Sequence, residues 1–447
     1  MREYSGLLTD LYELTMAAGY LQTRFEANAT FELFVRNLPH QRSFLVAAGL
    51  EQAIEFLENV QFMPEEIDFL RRHPVFRGIR PEFFEYLADF RFTGDVWAMP
   101  EGTLAFAGEP LLRLTGPIIE GQIMETYLLA TLSFQTMIAS KAARVASAAQ
   151  GRQVIEFGAR RAHGPEASLH AARAAAIGGC AGTSNVLAGQ LYGIKIYGTQ
   201  AHSWVMAHDD EAEAFGNFLD VFPRHAYLLL DTYDVRLAIK KILAMGRKPH
   251  GVRLDSGDIV KDSRWIREEL DRAGWTDVNI FASGDLDEYK ITELLEKGAQ
   301  ISAFGVGTAL ATPGDAPHLN LVYKLVELER AGAIHGAGKL TDAKVTYPGR
   351  KQVFRCSDKS GNFTNDRIAL EDETDDCGEP LLVQAMKQGR RTIAPGMVKE
   401  ARERCLEQLS RLPERYRRLD DPAAYPVKMS AKLEEMLMKL RERVARM

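Results

Sequence analysis

The stretch from Tyr227 to Asp258, YLLLDTYDVRLAIKKILAMGRKPHGVRLDSGD, decides the fold. An apolar run, Tyr227–Leu230, stops at the polar cluster Asp231–Asp234. An amphipathic segment with helical period follows over Val235–Met245. A second short apolar run, Gly251–Leu254, then ends in Asp255-Ser256-Gly257-Asp258. Strand, helix and strand in this order specify a parallel pair, because parallel strands need a long crossover between them.

Working outward, the same unit recurs on both sides. Further strands are expected at Gln153–Phe157, Ile194–Tyr197, Val278–Ala282 and Ile301–Phe304. Helices are expected at Pro165–Ile177, Asp209–Leu219, Ser263–Ala273 and Asp287–Lys297. Six strands alternating with helices, with no dinucleotide fingerprint, favour an α/β barrel over an open doubly wound sheet.

The flanks have another texture. Tyr12–Leu21 has helical period, Thr30–Val35 alternates like a half-buried strand, and Gly49–Leu57 is helical again. Phe92–Leu114 is broken by Gly and Pro. Beyond Leu321, the runs Val322–Leu328, Val345–Pro348 and Gln352–Cys356 read as antiparallel strands, and Glu371–Asp376 as a solvated acidic turn. From Pro395 to Met447 the chain is helical and charged, with Met429, Leu433, Met436, Leu440 and Val444 on one face. The expected organisation is therefore an α+β segment over 1–135, an α/β barrel carrying the catalytic site over 136–320, and a second α+β segment with a helical tail over 321–447.

The whole-chain figures agree. A length of 447 residues exceeds one compact core of common size. A hydrophobic fraction of 46% excludes disorder as the main state. With 55 Lys+Arg against 61 Asp+Glu the net charge is −6, which argues against a general nucleic-acid binder but leaves room for an anionic small substrate in a locally positive cleft. Cys180, Cys356, Cys377 and Cys405 form no CxxC pair, so reduced structural thiols and a cytoplasmic setting are expected. Met1–Asp10 lacks a signal pattern, and no apolar run reaches the roughly 20 residues that span a bilayer. The richest stretch, Ile118–Ala149, is interrupted by Glu120, Gln122, Glu125, Gln135 and Lys141.

Chemistry gathers at the strand ends. After the expected strands come Phe157-Gly-Ala-Arg160-Arg161, Gly198-Thr199-Gln-Ala-His202-Ser203, Asp231-Thr-Tyr-Asp234, Asp255-Ser256-Gly257-Asp258, Ser283-Gly284-Asp285 and Gly305-Val-Gly307-Thr308. In α/β barrels these ends build the active site. The same residue types also serve as turns and helix caps, and Asp258 reads equally as an N-cap. Gly305-Val-Gly307-Thr308 and Ser283-Gly284-Asp285 offer backbone amides to phosphate. Asp255 and Asp258 can hold Mg²⁺ through water or accept from sugar hydroxyls. Arg160, Arg161 and Arg253 are guanidiniums suited to an anionic substrate. His202, near the acidic end at Asp231, is a candidate general base or phosphoryl acceptor. GxxxxGK[ST], HExxH and GxSxG are all missing.

Together these residues resemble the nicotinate phosphoribosyltransferase family. The resemblance runs from Leu8-Thr9-Asp10-Leu11-Tyr12-Glu13-Leu14-Thr15-Met16 through Glu156-Phe157-Gly158-Ala159-Arg160-Arg161, Ser184-Asn185-Val186-Leu187-Ala188-Gly189 and Gly198-Thr199-Gln200-Ala201-His202-Ser203. It continues through Arg253-Leu254-Asp255-Ser256-Gly257-Asp258 and Gly305-Val306-Gly307-Thr308 to Val322-Tyr323-Lys324-Leu325-Val326. It implies the type II phosphoribosyltransferase architecture: an irregular, TIM-like α/β barrel plus an α+β sandwich domain built from both chain ends.

The implied reaction is nicotinate + phosphoribosyl pyrophosphate + ATP + water → nicotinate mononucleotide + pyrophosphate + ADP + phosphate, a step of NAD salvage. Under the resemblance His202 is phosphorylated by ATP, the co-substrate, and Asp231 and Asp255 complete the catalytic group. Arg253 and Thr199 hold nicotinate, Arg160 lines the same pocket, and Thr308 contacts the phosphoribosyl donor. Phe157, Arg161, Ser256, Asp258, Ser283, Gly284, Asp285, Gly305 and Gly307 complete the substrate-binding set. Tyr12 stacks on the pyridine ring from a neighbouring subunit, which implies a homodimer with a shared site. Mg²⁺ accompanies the donor, with no metal site built from protein ligands alone. No nucleic-acid or membrane partner is implied. The readings that compete are nicotinamide as the base, a quinolinate enzyme on the same barrel, and a silent barrel that only binds phosphoribosyl ligands.

Overall fold

A computed structural model describes residues 4–341, 344–374 and 378–446. Cys377 and the end of the acidic turn at Asp375 and Asp376 lie outside the described residues. The chain divides into two compact units, Ile138–Pro317 on the one hand and Met1–Met137 with His318–Met447 on the other.

Six strands form the sheet of the first unit, in the order Gly182–Thr183, Gln153–Glu156, Ala303–Val306, Asn279–Ala282, Gly251–Leu254 and Tyr227–Leu229. Every neighbouring pair is parallel. The helices between them include Pro165–Ile177, Val235–Met245 and Ile259–Arg272. The expected strand at Ile194–Tyr197 is not one. A two-residue strand, Gly182–Thr183, takes that place in the row, and Ile196 contributes a single isolated bridge to Thr183. The reason is hydrogen bonding shared in two directions. The Thr183 amide donates to the Lys195 carbonyl at 3.0 Å and the Tyr197 amide to the Thr183 carbonyl at 2.9 Å, while the Gln200 amide donates to the Tyr227 carbonyl at 3.2 Å. The segment 195–200 is thus bonded to both edge strands of the row.

Side-chain alternation sorts the two faces of this sheet. Val154, Leu228, Val252, Leu254, Ile280, Ala282, Phe304 and Val306 form one buried apolar set. The opposite face carries Ile155, Phe281 and Ala303, with Phe157, Tyr197 and Tyr227 packed on them. Register places Arg253 beside Phe281, and Phe281 beside Ala303, on this second face. Large rings fit there only against small neighbours. A Cβ on Gly305 would sit 2.7 Å from the Phe157 ring and 2.8 Å from that of Phe281.

In the second unit the two chain ends share one sheet. Asn28–Val35 pairs antiparallel with Pro110–Pro117 on one side and with Leu321–Arg330 on the other. This seven-stranded sheet lies in a unit that also holds a four-stranded sheet containing Lys351–Ser357 and Phe363–Leu370. A buried ion pair joins distant sequence here: Lys351 Nζ lies 2.7 Å from Glu32 Oε2. Val345–Pro348, expected as a strand, runs without regular structure. In the tail helix Ala431–Ala445, the buried residues are Leu433, Leu437 and Leu440, whereas Val444 is exposed. Among the described residues no helix is long and apolar enough to cross a membrane. Cys180 and Cys405 are buried, and burial pushes the Cys405 thiol up to about 12.

Candidate active site

Arg253 is the node of the site. It lies on the Gly251–Leu254 strand with its side chain 12% exposed. Its Nε donates to Ser283 Oγ at 2.8 Å, Nη1 to Thr199 Oγ1 at 2.8 Å, and Nη2 to Asp255 Oδ1 at 2.5 Å. A guanidinium has five N–H donors, so one on each Nη remains for an anion. The Phe157 ring centroid lies 6.0 Å from the guanidinium carbon. Three expected strand ends, at 199, 255 and 283, are thereby tied to one side chain.

Asp255 continues the network. Its Oδ1 also accepts from Ser283 Oγ at 2.5 Å, and its Oδ2 lies 3.9 Å from His202 Nε2. Burial by itself would raise this carboxyl. The Ser283 hydrogen bond, the charge and hydrogen bond of Arg253, and the charge of His202 outweigh it and hold the carboxyl below its ordinary value. His202 opens the short helix His202–Met206, and its Nδ1 lies 3.2 Å from Thr232 Oγ1. Asp231 does not meet the histidine. Its Oδ2 instead accepts from the Asp255 amide at 2.9 Å and from Ser256 Oγ at 2.6 Å, and its Oδ1 is buried without a hydrogen-bond partner.

The Ser283-Gly284-Asp285 turn is held by backbone geometry. Gly284 has φ +94°, and a Cβ there would lie 1.8 Å from the Asp255 carbonyl oxygen. Only glycine fits this contact. Gly305 lies within the Ala303–Val306 strand beside Phe157, and Gly307 precedes the single-turn helix Thr308–Ala311. Asp258 is a cap: its Oδ1 accepts from the Lys261 amide at 3.0 Å, opening the Ile259–Arg272 helix. Arg160 and Arg161 are exposed on the loop after Gln153–Glu156, and among the described residues no hydrogen bond joins either to Arg253. Tyr12 lies in the other unit, on Leu11–Gln22, 46% exposed, with its phenol against Glu125.

Several contributing residues carry no sequence signal of their own. Glu156 is buried; its Oε1 accepts from the Gly158 amide and its Oε2 from Thr183 Oγ1, at 2.6 Å for the latter. It fixes the start of the loop that bears Arg160. Gln200 is buried beside Thr199 and accepts from the Leu229 amide at 3.1 Å, while its Nε2 has no partner. The other unit has a cationic group of its own. Burial lowers the Lys324 amine; Glu125 raises it, but Arg36, Lys339 and Lys344 lower it further. Arg36 Nε and Nη2 are buried with no hydrogen-bond partner. These four cations come from distant stretches, so no local motif announced them.

Three family models match in order: the nicotinate phosphoribosyltransferase N-terminal domain over residues 7–133, the nicotinate phosphoribosyltransferase family over 152–364, and the C-terminal domain over 374–437. A nicotinate phosphoribosyltransferase of Mycobacterium tuberculosis is 44% identical, with 99% of this chain and 95% of that protein covered. One from Bacillus subtilis is 38% identical over 95% and 93%. The crystal structure of human nicotinic acid phosphoribosyltransferase superposes with a TM-score of 0.83 at 31% identity, covering 97% of this chain and 99% of that one.

Proposed function

The chain belongs to the nicotinate phosphoribosyltransferase family, and from that premise we propose that it makes nicotinate mononucleotide in an ATP-coupled reaction through a phosphorylated His202. It is an enzyme of pentosyltransferase chemistry, and the names of its relatives support a role in the salvage of nicotinate toward NAD. The observation that carries the finer reading is the Arg253 node. A half-buried guanidinium with two N–H groups to spare, set over the Phe157 ring, suits a flat aromatic carboxylate.

In this reading the pyridine nitrogen attacks the anomeric carbon of phosphoribosyl pyrophosphate, and the C–O bond to pyrophosphate breaks with its electron pair. The carbon passes through oxocarbenium character, as at other glycosidic centres. Asp255, ionised by its neighbours, supplies negative charge at the ribose. His202 takes the γ-phosphoryl group of ATP, and water later releases it as phosphate. A phosphohistidine beside the pyrophosphate subsite couples ATP hydrolysis to the synthesis.

Mg²⁺ fits the oxygen donors present. The unpartnered Asp231 Oδ1 and the outward Asp255 Oδ2 would hold it, through water, and it would neutralise pyrophosphate charge. Among the described residues no group of three or more His, Cys, Asp or Glu is set to bind a metal, so substrate oxygens and water complete such a sphere. The irregular barrel belongs to the same proposal. The 195–200 segment, bonded to both edge strands, supports closure of the row into a ring. A homodimer that lends Tyr12 to the neighbouring site completes it.

The test is direct. The protein is incubated with phosphoribosyl pyrophosphate, Mg²⁺ and nicotinate, nicotinamide or quinolinate, with and without ATP, and the nucleotide is identified. Nicotinate mononucleotide, increased by ATP, is expected. Product from nicotinamide alone overturns the reading. Label from γ-labelled ATP is expected on the wild type and not on His202→Ala.

A further inference from the structure

Glu13 is a carboxyl with no exposure to solvent, next in sequence to the exposed Tyr12. The same helix buries the apolar Leu14, Ala17 and Ala18, so an acid at this position is not needed for packing. Its surroundings are specific. Glu13 Oε1 accepts from the Thr126 amide at 3.1 Å and lies 2.7 Å from the Thr126 hydroxyl. Glu13 Oε2 accepts from the Thr9 hydroxyl, whose oxygen is also 3.1 Å from the Ile123 carbonyl. Thr126 Oγ1 accepts from the Asp10 amide at 3.2 Å and lies 3.0 Å from Asp10 Oδ2. Thr9 is therefore tied to Ile123, and Asp10 and Glu13 to Thr126, while the Tyr12 phenol between them bonds to Glu125.

We propose that Glu13 is a positioning residue for Tyr12: it docks the first turn of Leu11–Gln22 onto the first turn of Glu125–Ala148 and so fixes where the Tyr12 ring points. Successive helical residues are turned by about 100°, so anchoring position 13 sets the direction of position 12. The inference rests on the reading of Tyr12 as the residue that stacks on the substrate base.

The groups facing Glu13 add a pH signature. Burial raises its carboxyl to about 8; the Thr126 bonds oppose this, and the charges of Glu125 and Asp10 add to it. The Tyr12 phenol lies on its own helix, and the Tyr323 phenol faces it from the Leu321–Arg330 strand. Burial raises the Glu125 carboxyl as well, and the Tyr12 hydrogen bond and the charge of Lys324 oppose that rise. At neutral pH Glu13 is therefore mainly protonated. Above its transition it becomes a third carboxylate beside Asp10 and Glu125, and the clamp loosens.

The experiment measures KM for nicotinate and for phosphoribosyl pyrophosphate, with thermal melting, for wild type, Tyr12→Ala, Glu13→Ala and Glu13→Gln between pH 6.5 and about 9. Tyr12→Ala and Glu13→Ala are expected to raise the nicotinate KM about tenfold, a loss typical of one well-placed contact, and to leave the donor KM within about twofold. Glu13→Gln is expected to keep the neutral-pH value and to abolish the rise in nicotinate KM that wild type shows above about pH 8. A wild-type nicotinate KM in Glu13→Ala alongside a raised one in Tyr12→Ala overturns the clamp alone. An unchanged KM in Tyr12→Ala overturns the reading of Tyr12 and the clamp with it. Should Glu13→Ala fail to fold, persistence of the alkaline rise in Glu13→Gln overturns the proposal.

Discussion

Arg253 in the parallel-sheet unit and Lys351 in the unit built from the chain ends are held in opposite ways. In the first, Arg253 is held by a hydroxyl on either side and one carboxylate, and keeps donors in reserve. In the second, Lys351 and Glu32 satisfy each other at 2.7 Å, both nearly sealed from water. The Lys351 amine also donates to the Gly349 carbonyl, and its amide to Glu32 Oε1. The difference teaches how to tell chemistry from architecture: a site charge is under-satisfied by its own chain, a structural charge is not.

The largest expected effect is on the structural side. Lys351→Met leaves Glu32 buried and unpaired, and is expected to lower stability by about 3–5 kcal/mol. Urea unfolding measures this, and a Glu32→Leu/Lys351→Met double variant is expected to recover most of it. A small loss in the single variant breaks the contrast drawn above. Next comes Arg253→Lys. A lysine keeps the charge but not the fork, so kcat/KM for nicotinate is expected to fall about 10²- to 10³-fold with melting little changed. Retained activity means that charge alone suffices there.

Gly284→Ala is expected to cost about 1–3 kcal/mol in the thermal or urea transition, since the added Cβ must displace the Asp255 carbonyl, and to depress activity through Asp255. The smallest effect sharpens the contrast through pH. Glu13 is raised in the folded chain, so its contribution to stability is present near the ordinary glutamate value of 4.5 and falls as pH rises toward about 8. Glu13→Gln is expected to flatten that slope in melting temperature. Asp255 is lowered, so its contribution is present at neutral pH and is lost as pH falls through its folded value.

Legibility followed sequence distance. Pro165–Ile177 and Val235–Met245 were readable to the residue, because each is one amphipathic period between turn residues. Ile194–Tyr197 was misread, because an apolar run in this position bonds to whichever edge is near, and Thr183 with Tyr227 claimed its neighbourhood instead. On the tail helix Leu433 and Leu440 face inward as expected, but Leu437 is buried where Met436 is expected and Val444 is exposed, since only packing decides which face of a charged helix turns inward. Within the site, Thr199, Arg253, Asp255 and Ser283 were named from their strand ends and are joined by hydrogen bonds. Asp258 was named as well, yet its carboxylate is spent on a helix cap. Thr232, Glu156 and Gln200 were missed because a buried hydroxyl, acid or amide has no pattern until its partner is in place.

The sequence by itself determined that strands and helices alternate from residue 153 onward, which residues stand at the strand ends, and through the run of motifs the family. Those are local properties, written in period and in turn chemistry. Tertiary structure alone decided which of those ends meet. It gave Arg253 three partners from residues 199, 255 and 283, turned Asp231 toward the Asp255 amide rather than His202, and brought Glu32 to Lys351 across 319 residues. A side chain's charge is fixed by its type, but whether that charge is satisfied depends on atoms that only the fold brings within hydrogen-bond distance.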